Sequence, residues 1–249
     1  ISRTTILRIS AVSMTTMQKK ALYVMRRALL LFGGASFLCG CVRDNRDDCL
    51  FPLRLQFSYT YNREGRDLFS AEVEQVRLYL FDSRSGELKA STVARSKDLG
   101  PDNTFTWNVA PGSYHAVAWG CSEGERYRVL SSERFPQSRL SVQTLSDGSS
   151  VEQKPEHLWY EIGRGLTVTG ELQAPHPMDL HKLSNDVRVE VSGLRDEQFP
   201  RLSCTISASN GTYDFEGRTR DENPVVWLPE SSRESDRSIH KFTVLRLAE

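Results

Sequence analysis

Between residues 50 and 249, hydrophobic and polar residues alternate along a series of short segments. In the first of these, apolar side chains occupy every second position from Leu53 to Tyr59. A period of two predicts a β-strand with one buried face. The same pattern returns in segments 76–81, 105–109, 114–119, 187–191, 204–208, 213–215, 224–228 and 242–247. Only residues 68–75 favour a helix, of one or two turns.

Residues that form tight turns separate these segments, notably in the stretches 82–86, 101–103 and 111–113. Asn210-Gly211 lies between two alternating runs, which is the strongest short-range indication of a β-hairpin, with positive φ at both turn positions. Many short strands at a spacing of about ten residues, with little helical periodicity, predict an all-β chain of two tandem β-sandwich domains of Greek-key type.

We expect the domain boundary near residues 165–175, which gives an N-terminal sandwich over residues 50–168 and a C-terminal one over residues 169–249. The stretch 173–185 contains two prolines and two histidines and is expected to interrupt any strand ladder. The C-terminal domain has room for about five strands where a closed sandwich needs seven. We therefore expect this domain to be incomplete, with one strand edge left unpaired.

A different pattern precedes the strands. Met25-Arg26-Arg27 is followed by an apolar run of 11 residues that ends at Leu38. Because a helix needs about 20 apolar residues to span a bilayer core, this run predicts a signal peptide over residues 25–40. Residues 1–24 begin with Ile1, which is not an ordinary initiator, and are interpreted as an upstream extension that is not native.

The apolar run ends in Leu38-Cys39-Gly40-Cys41, which resembles the bacterial lipobox, with Leu at −3 and a small residue directly before the cysteine. The resemblance implies cleavage before Cys41 and attachment of a diacylglycerol to its sulfur, so that no cofactor other than this covalent lipid is expected. Several acyl chains on one cysteine give stable membrane anchoring. An ordinary signal peptide, in which both cysteines are incidental, is the alternative.

Residues 41–49 are polar and rich in Asp, and we interpret them as an acidic tether that holds the domain off the membrane. Acidic residues after a lipidated cysteine resemble the surface-export signals of Bacteroidales lipoproteins, with a plain solvated linker as the alternative. The first 40 residues hold six of the 32 Lys and Arg and no Asp or Glu, which leaves 26 basic against 32 acidic residues in the remainder. This balance disfavours nucleic acid as a partner.

Sequence motifs of hydrolases, metalloproteases, nucleotide-binding proteins and dithiol oxidoreductases are absent from the sequence, which predicts no enzymatic activity, no catalytic residue and no small-molecule substrate. The five histidines lack the spacing of a metal site, so no metal is expected. An exported protein can form disulfides, and Cys49 could reach Cys121. Free buried thiols are the alternative to this bridge.

Taken in order, the sequence features are similar to those of the FimB-type fimbrial anchor lipoproteins of Bacteroidales. The stretches that carry the resemblance are Cys41 with its acidic spacer, the strand segments beginning at Leu53, Val76 and Ala110, and the stretches beginning at Leu183, Asn210 and Phe242. The resemblance covers residues 41–249. It implies two transthyretin-like sandwiches, lipid-anchored and surface-exposed in the outer membrane at the base of a fimbrium.

The resemblance also implies a role, which is to anchor the fimbrium and limit its length. Fimbrial shaft subunits are the implied partners, and a sheet edge of the protein could bind them by strand addition. The alternative function is that of a surface glycan-binding lipoprotein, for which exposed tryptophan pairs would be expected. The four tryptophans lie mostly within alternating segments, which predicts that they are buried.

Overall fold

The computed structural model describes residues 49–121, 126–151, 156–220 and 224–246. A single short α-helix, α1 (Phe69–Glu72), occurs in the described part of the chain, at the position where a helix was predicted. The strands of the described residues are β1 (Phe51–Ser58), β2 (Gln75–Asp82), β3 (Leu88–Arg95), β4 (Thr104–Val109), β5 (Gly112–Cys121), β6 (Tyr127–Ser131), β7 (Arg139–Val142), β8 (Ser150–Val151), β9 (Trp159–Val168), β10 (His176–Asp179), β11 (His181–Lys182), β12 (Ser184–Ser192), β13 (Ile206–Ala208), β14 (Thr212–Asp214), β15 (Val225–Trp227), β16 (Glu230–Glu234) and β17 (Arg237–Leu245). The prediction of an all-β chain is confirmed, and each predicted segment contains a strand.

Two sheets face each other in the first sandwich, whose strands lie within residues 51–121 and 159–182. One has the order β10-β1-β4 and the other the order β11-β9-β5-β2-β3. The predicted inward face of β1 lies between them, with Leu55 fully buried and Phe57 only 1% exposed. Leu78 of β2 and Ala118 of β5 belong to the same core. The period-two pattern therefore identified the correct buried face of this sandwich.

The five-stranded sheet is covered on both faces, which its sequence pattern did not predict. Leu80 lies in the core of the first sandwich, while its neighbour Phe81 lies in a second core, and both are fully buried. In β5, Trp119 likewise points into the second core. The other side of this second core is formed by three small sheets, with the orders β12-β17-β16, β13-β15-β8 and β14-β7-β6.

Strand pairing crosses the predicted boundary between residues 168 and 169. β7 pairs with β14 and β8 with β15, so strands from before the boundary complete sheets from after it. In the other direction, β10 pairs in parallel with β1, and β11 pairs with β9. The boundary therefore does not divide the sheets, because pairing depends on which strand edges meet in space. The expected incompleteness of the C-terminal domain stays a prediction.

The expectation that residues 173–185 interrupt any ladder is wrong. β10 contains Pro177 and pairs with β1 over four residues, from Leu55 opposite His176 to Ser58 opposite Asp179. Proline is tolerated there because β10 is an edge strand, so that one side of its backbone needs no ladder hydrogen bond.

The predicted hairpin at Asn210-Gly211 is also wrong. The strands on either side belong to different sheets, since β13 pairs with β15 while β14 pairs with β7. Neither residue has a positive φ. Asn210 is instead buried, and its side-chain NH₂ group donates to the carbonyl of Leu245. Its side-chain oxygen accepts a hydrogen bond from the indole of Trp227 at 3.0 Å. Tertiary hydrogen bonds thus override the local turn preference.

Candidate strand-docking edge

β12 is a nine-residue strand with one open edge. It pairs along its whole length with β17, from Ser184 opposite Leu245 to Ser192 opposite Arg237. On its other side it has no strand partner among the described residues. An unpaired edge presents a row of main-chain N–H and C=O groups, which can pair with a strand from another chain. β12 is the longest edge strand in the described part of the chain.

The side chains of β12 alternate as those of a half-buried strand do. Val187 and Val189 are partly buried and pack against the second core, whereas Arg188 and Glu190 are exposed. A cavity of about 200 Å³ lies over the β12–β17 pair and is lined by residues 186–188 and 241–243. The open edge therefore has a recess beside it that can accept a side chain.

Charged groups surround this recess. Arg188 lies directly opposite Lys241 in the register of the two strands, so that two positive side chains are neighbours. Arg188 also forms an ion pair with Glu190 at 2.6 Å. Asp186 accepts a hydrogen bond from the hydroxyl of Thr243 at 2.9 Å. A partner strand with a carboxylate beside Arg188 and Lys241 would relieve the repulsion between these two cations.

The start of β12 is fixed by a hydrogen-bonded chain that involves His157. The hydroxyl of Ser184 lies 3.0 Å from Nδ1 of His157 and accepts a hydrogen bond from the N–H of Leu158. Nε2 of the same imidazole lies 3.5 Å from a carboxylate oxygen of Asp186. Burial holds the pKa of His157 below its usual value, with a further contribution from the nearby cation of Lys182. These contacts tie β12 to the segment that leads into β9.

Ser184, His157 and Asp186 are the three residue types of a serine hydrolase, but their arrangement does not fit that chemistry. Ser184 is only 2% exposed, so its hydroxyl is out of reach of a substrate. The same oxygen accepts the Leu158 N–H, which reduces its nucleophilicity. We therefore interpret the three residues as a structural contact that sets the register of β12.

Several other edge strands are less suited to pairing, whereas β3, with eight residues, is almost as long as β12. β16, the second edge of the same sheet, has only five residues and carries exposed charges at Arg233 and Glu234. β6 has a register irregularity at Leu130, and β10 contains Pro177. Bulges, prolines and charges are the features that protect an edge from pairing. The strand order shows that β12 is an open edge, whereas the unpaired edge expected from an incomplete second domain stays a prediction.

The residues singled out from the sequence fall in different places. Cys41, the predicted lipid attachment site, lies outside the described residues. Cys49 is exposed and Cys121 is buried, and both are free thiols, so the bridge considered between them is not formed in the structure. Burial raises the pKa of Cys121 to about 12. Its thiol is therefore protonated at neutral pH.

Three of the four tryptophans are buried as predicted. Trp119, Trp159 and Trp227 are each 1% exposed, and Trp107 is partly buried against the first core. The rings of Trp119, Trp159 and Trp227 support the cores and offer no exposed face on which a sugar could stack.

The described residues contain no group of three or more His, Cys, Asp or Glu side chains placed to hold a metal ion. None of the helices in this part of the chain is long and apolar enough to cross a membrane.

Comparison with known proteins places the fold among fimbrial anchor proteins. The family model of the fimbrillin-A associated anchor proteins Mfa1 and Mfa2 matches residues 46–249. The minor fimbrium anchoring subunit Mfa2 of Porphyromonas gingivalis is 22% identical over 229 residues, an alignment that covers 88% of this chain and 69% of that protein.

Solved structures agree with this comparison. The fimbrial anchor protein Mfa2 from Porphyromonas gingivalis superposes with a TM-score of 0.66 at 20% identity, covering 81% of this chain and 75% of the other. A candidate polysaccharide-binding protein from Bacteroides thetaiotaomicron gives a TM-score of 0.66 at 19% identity, covering 80% and 72%. A candidate adhesin from Bacteroides ovatus gives 0.65 at 19% identity, covering 80% and 70%. At these identities the superpositions establish the β-sandwich fold.

Proposed function

We propose that this chain, which belongs to the family of the fimbrillin-A associated anchor proteins, anchors a fimbrium in the outer membrane through a lipid and limits its length. The observation that carries the proposal is the family match over residues 46–249, which spans all the described residues. Members of this family are structural subunits of cell-surface fimbria, and we propose no catalytic activity for the chain.

Cys41 is the proposed attachment point. The family match begins at residue 46, five residues after Cys41. A signal peptide, a cysteine that carries lipid and a folded domain, in this order, are what we propose for the chain. Acyl chains contribute roughly 0.8 kcal/mol per buried methylene, and several chains on one cysteine hold a protein firmly in a bilayer. The lipid would therefore resist the load that a fimbrium places on its base.

The open edge of β12 is the proposed contact with the first shaft subunit. Strand addition there would satisfy the unpaired main-chain groups of β12, and the recess over Val187 and Phe242 would select the register of the incoming strand. The charges favour an incoming strand with a carboxylate near Arg188. A subunit that is fixed in the membrane and binds shaft subunits only through this edge would end the polymer on its side, which would limit fimbrial length.

Fatty-acid labelling tests the membrane part of the proposal. Bacteria that express the native gene or the Cys41→Ala variant are grown with a fatty-acid analogue, fractionated, and probed for fimbrial subunits that co-purify with the protein. We expect label and shaft subunits with the native protein, and loss of the label and of membrane retention with the variant. Label without any polymer partner would contradict fimbrial anchoring, and absence of label would contradict the lipid anchor.

Glycan binding remains the alternative function. It would be favoured if the labelled protein retained polysaccharide and no fimbrial subunit. The burial of Trp119, Trp159 and Trp227 weighs against it, because the stacking surfaces that such a site uses are enclosed in the cores.

A further inference from the structure

One end of the first sandwich is formed by three neighbouring parts of the chain. Phe51, at the start of β1, pairs with Val109 at the end of β4. Gly112, at the start of β5, pairs with Val168 at the end of β9. The loop after β9 lies against the start of β1, since a Cβ atom on Gly170 would be 3.4 Å from the ring of Phe51. The chain from the tether therefore enters the sandwich at this end.

Two strongly exposed leucines lie here. Leu172, in the loop after β9, is 74% exposed, and Leu50, directly before β1, is 61% exposed. They are the first and third most exposed of five large apolar side chains that face solvent in the described residues. A single exposed leucine is ordinary on a protein surface. These two leucines lie at the end where the chain from the proposed lipid site enters, and together they offer apolar surface to a bilayer interface.

A polar cleft lies beside the two leucines. It has a volume of about 260 Å³ and is lined by residues 52–54, the end of β9 and residues 171–177. The side chain of Arg54 lines the cleft, and its guanidinium makes no hydrogen bond or ion pair within the described part of the chain. The hydroxyl-bearing residues Thr167 and Thr169 line it as well, and the exposed carboxylate of Glu171 lies at its rim. A guanidinium without a protein partner, close to hydroxyl groups, is suited to a phosphate.

We propose that this end of the sandwich docks on the lipid surface that holds Cys41, with Leu50 and Leu172 in the headgroup region and Arg54 bound to a lipid phosphate. The inference rests on the lipid proposed at Cys41. Eight residues lie between Cys41 and Leu50, so the two are at most about 32 Å apart along the chain. Such a short tether keeps this end of the sandwich at a high local concentration near the membrane. Docking would convert a loose attachment into one with a defined orientation.

A position-specific probe tests the docking. The full chain carries Cys39→Ser, Cys49→Ser and Cys204→Ser, so that a fluorophore reacts only with an introduced cysteine, and buried Cys121 is left in place. The probe is attached through Leu172→Cys or, as the matched control, through Leu130→Cys. Leu130 is 54% exposed and lies on β6, at the edge of the β14-β7-β6 sheet. The lipidated protein is reconstituted in phosphatidylcholine vesicles that contain doxyl-labelled lipid.

We expect the doxyl lipid to quench the probe at position 172 severalfold more than the probe at position 130. Adding Arg54→Gln should lower the quenching at 172 and leave that at 130 unchanged, while the unfolding transition stays as before. Equal quenching at the two positions would overturn the docking, and no effect of Arg54→Gln would overturn the phosphate contact. A response of the probe at 172 to soluble polysaccharide, and not to vesicles, would assign the cleft to a sugar and overturn the proposal.

The docking and the anchor can fail separately in this experiment. Fatty-acid labelling of the same preparation reports on Cys41, and labelled protein with a silent probe contradicts docking alone. If no label is found, the anchor is contradicted, and the same pair of probes is compared after the Cys41→Ala chain is added to preformed vesicles. Comparing the probes at positions 172 and 130 then still tests the docking. Any membrane contact of residues 1–40 is the same in the two labelled proteins.

Discussion

The indole nitrogen of Trp227 donates a hydrogen bond of 3.0 Å to the side-chain oxygen of Asn210, and both residues are almost completely buried. The NH₂ group of Asn210 donates to the carbonyl of Leu245 in β17. One asparagine side chain therefore connects β15 to β17 and satisfies two polar groups inside the second core. This arrangement replaces the hairpin that the sequence Asn210-Gly211 predicted.

We predict that Asn210→Ala destabilises the protein by about 2–4 kcal/mol, because it leaves the Trp227 indole and the Leu245 carbonyl buried without their partner. Urea unfolding followed by tryptophan fluorescence measures the change. Asn108→Ala, at an exposed position of β4, is the control and should shift the free energy of unfolding by no more than about 0.5 kcal/mol. Equal effects of the two variants would show that the Asn210 bonds contribute nothing.

Gly211 is required by close packing and not by a left-handed backbone. A Cβ atom at this position would lie 2.7 Å from Cγ1 of Val225, which is closer than real Cβ contacts allow. We expect Gly211→Ala to cost about 1–3 kcal/mol of stability, and we expect Val225→Ala in the same protein to recover part of that loss. Gly100→Ala, where the nearest atom is 3.5 Å away, is the control. Loss of stability without recovery in the double variant would contradict the steric explanation.

The thiols should differ in reactivity. Burial raises the pKa of Cys121 to about 12, so that only about one molecule in ten thousand carries the thiolate at pH 8. Cys49 is exposed. We expect a disulfide reagent at pH 8 to modify Cys49 in the native protein and Cys121 only after unfolding, with modified peptides identified by mass spectrometry. If Cys49 reacted only after reduction, it would be part of a disulfide and the free-thiol structure would be contradicted.

Stability should fall in mild acid because of His157. Burial keeps its pKa lower in the folded chain than in the unfolded chain, where it is about 6.5. The unfolded state therefore binds the proton more readily, so the stabilising contribution is complete above pH 6.5 and is lost as the pH falls through the folded pKa. We expect His157→Gln to reduce the loss of stability between pH 7.5 and pH 5.5 in urea titrations. The burial of His115 and His176 acts in the same direction, so part of the pH dependence should remain.

An unchanged pH dependence in His157→Gln would contradict this role of the imidazole. Ser184→Ala serves as a matched variant, because it removes the hydroxyl that contacts Nδ1 of His157 and keeps the imidazole of His157, which is the group that titrates.

Paired proline substitutions test the open edge of β12. Consecutive residues of a strand direct their N–H groups to opposite sides. Of the two variants Arg188→Pro and Val189→Pro, one therefore removes an N–H group from the open edge, and the other removes a ladder hydrogen bond to β17. We expect the variant that keeps its unfolding stability to bind shaft subunits at least about tenfold more weakly. Surface-immobilised protein and purified shaft subunits give the affinity.

The control for the edge is the corresponding pair in β16, Ser232→Pro and Arg233→Pro, at the other side of the same sheet. Neither variant of β16 should weaken binding if it stays folded. If the β12 variants also bound normally, strand addition at this edge would be refuted, while membrane anchoring through Cys41 would be unaffected.

Several features were predictable from local sequence because they depend only on neighbouring residues. Alternation from Leu53 to Tyr59 requires one buried and one exposed face, and β1 has these faces. The sequence pattern did not predict β9, because Gly163 and Gly165 interrupt its apolar residues and because both faces of its sheet are covered. Periodicity reports whether a residue faces an apolar or a polar environment, and a strand buried on both sides loses that contrast.

The sequence by itself determined the all-β class, the segments that form most strands, the anchor-family resemblance and the expectation of a lipid at Cys41. Only the tertiary structure decided that Asn210 bridges two strands, that residues 176–182 return to the first sandwich, and that β12 is the open edge. The physical reason is the range of the interactions. Alternation and turn preference act between neighbours along the chain, whereas strand pairing and buried hydrogen bonds join residues far apart in sequence, whose meeting depends on how the whole chain packs.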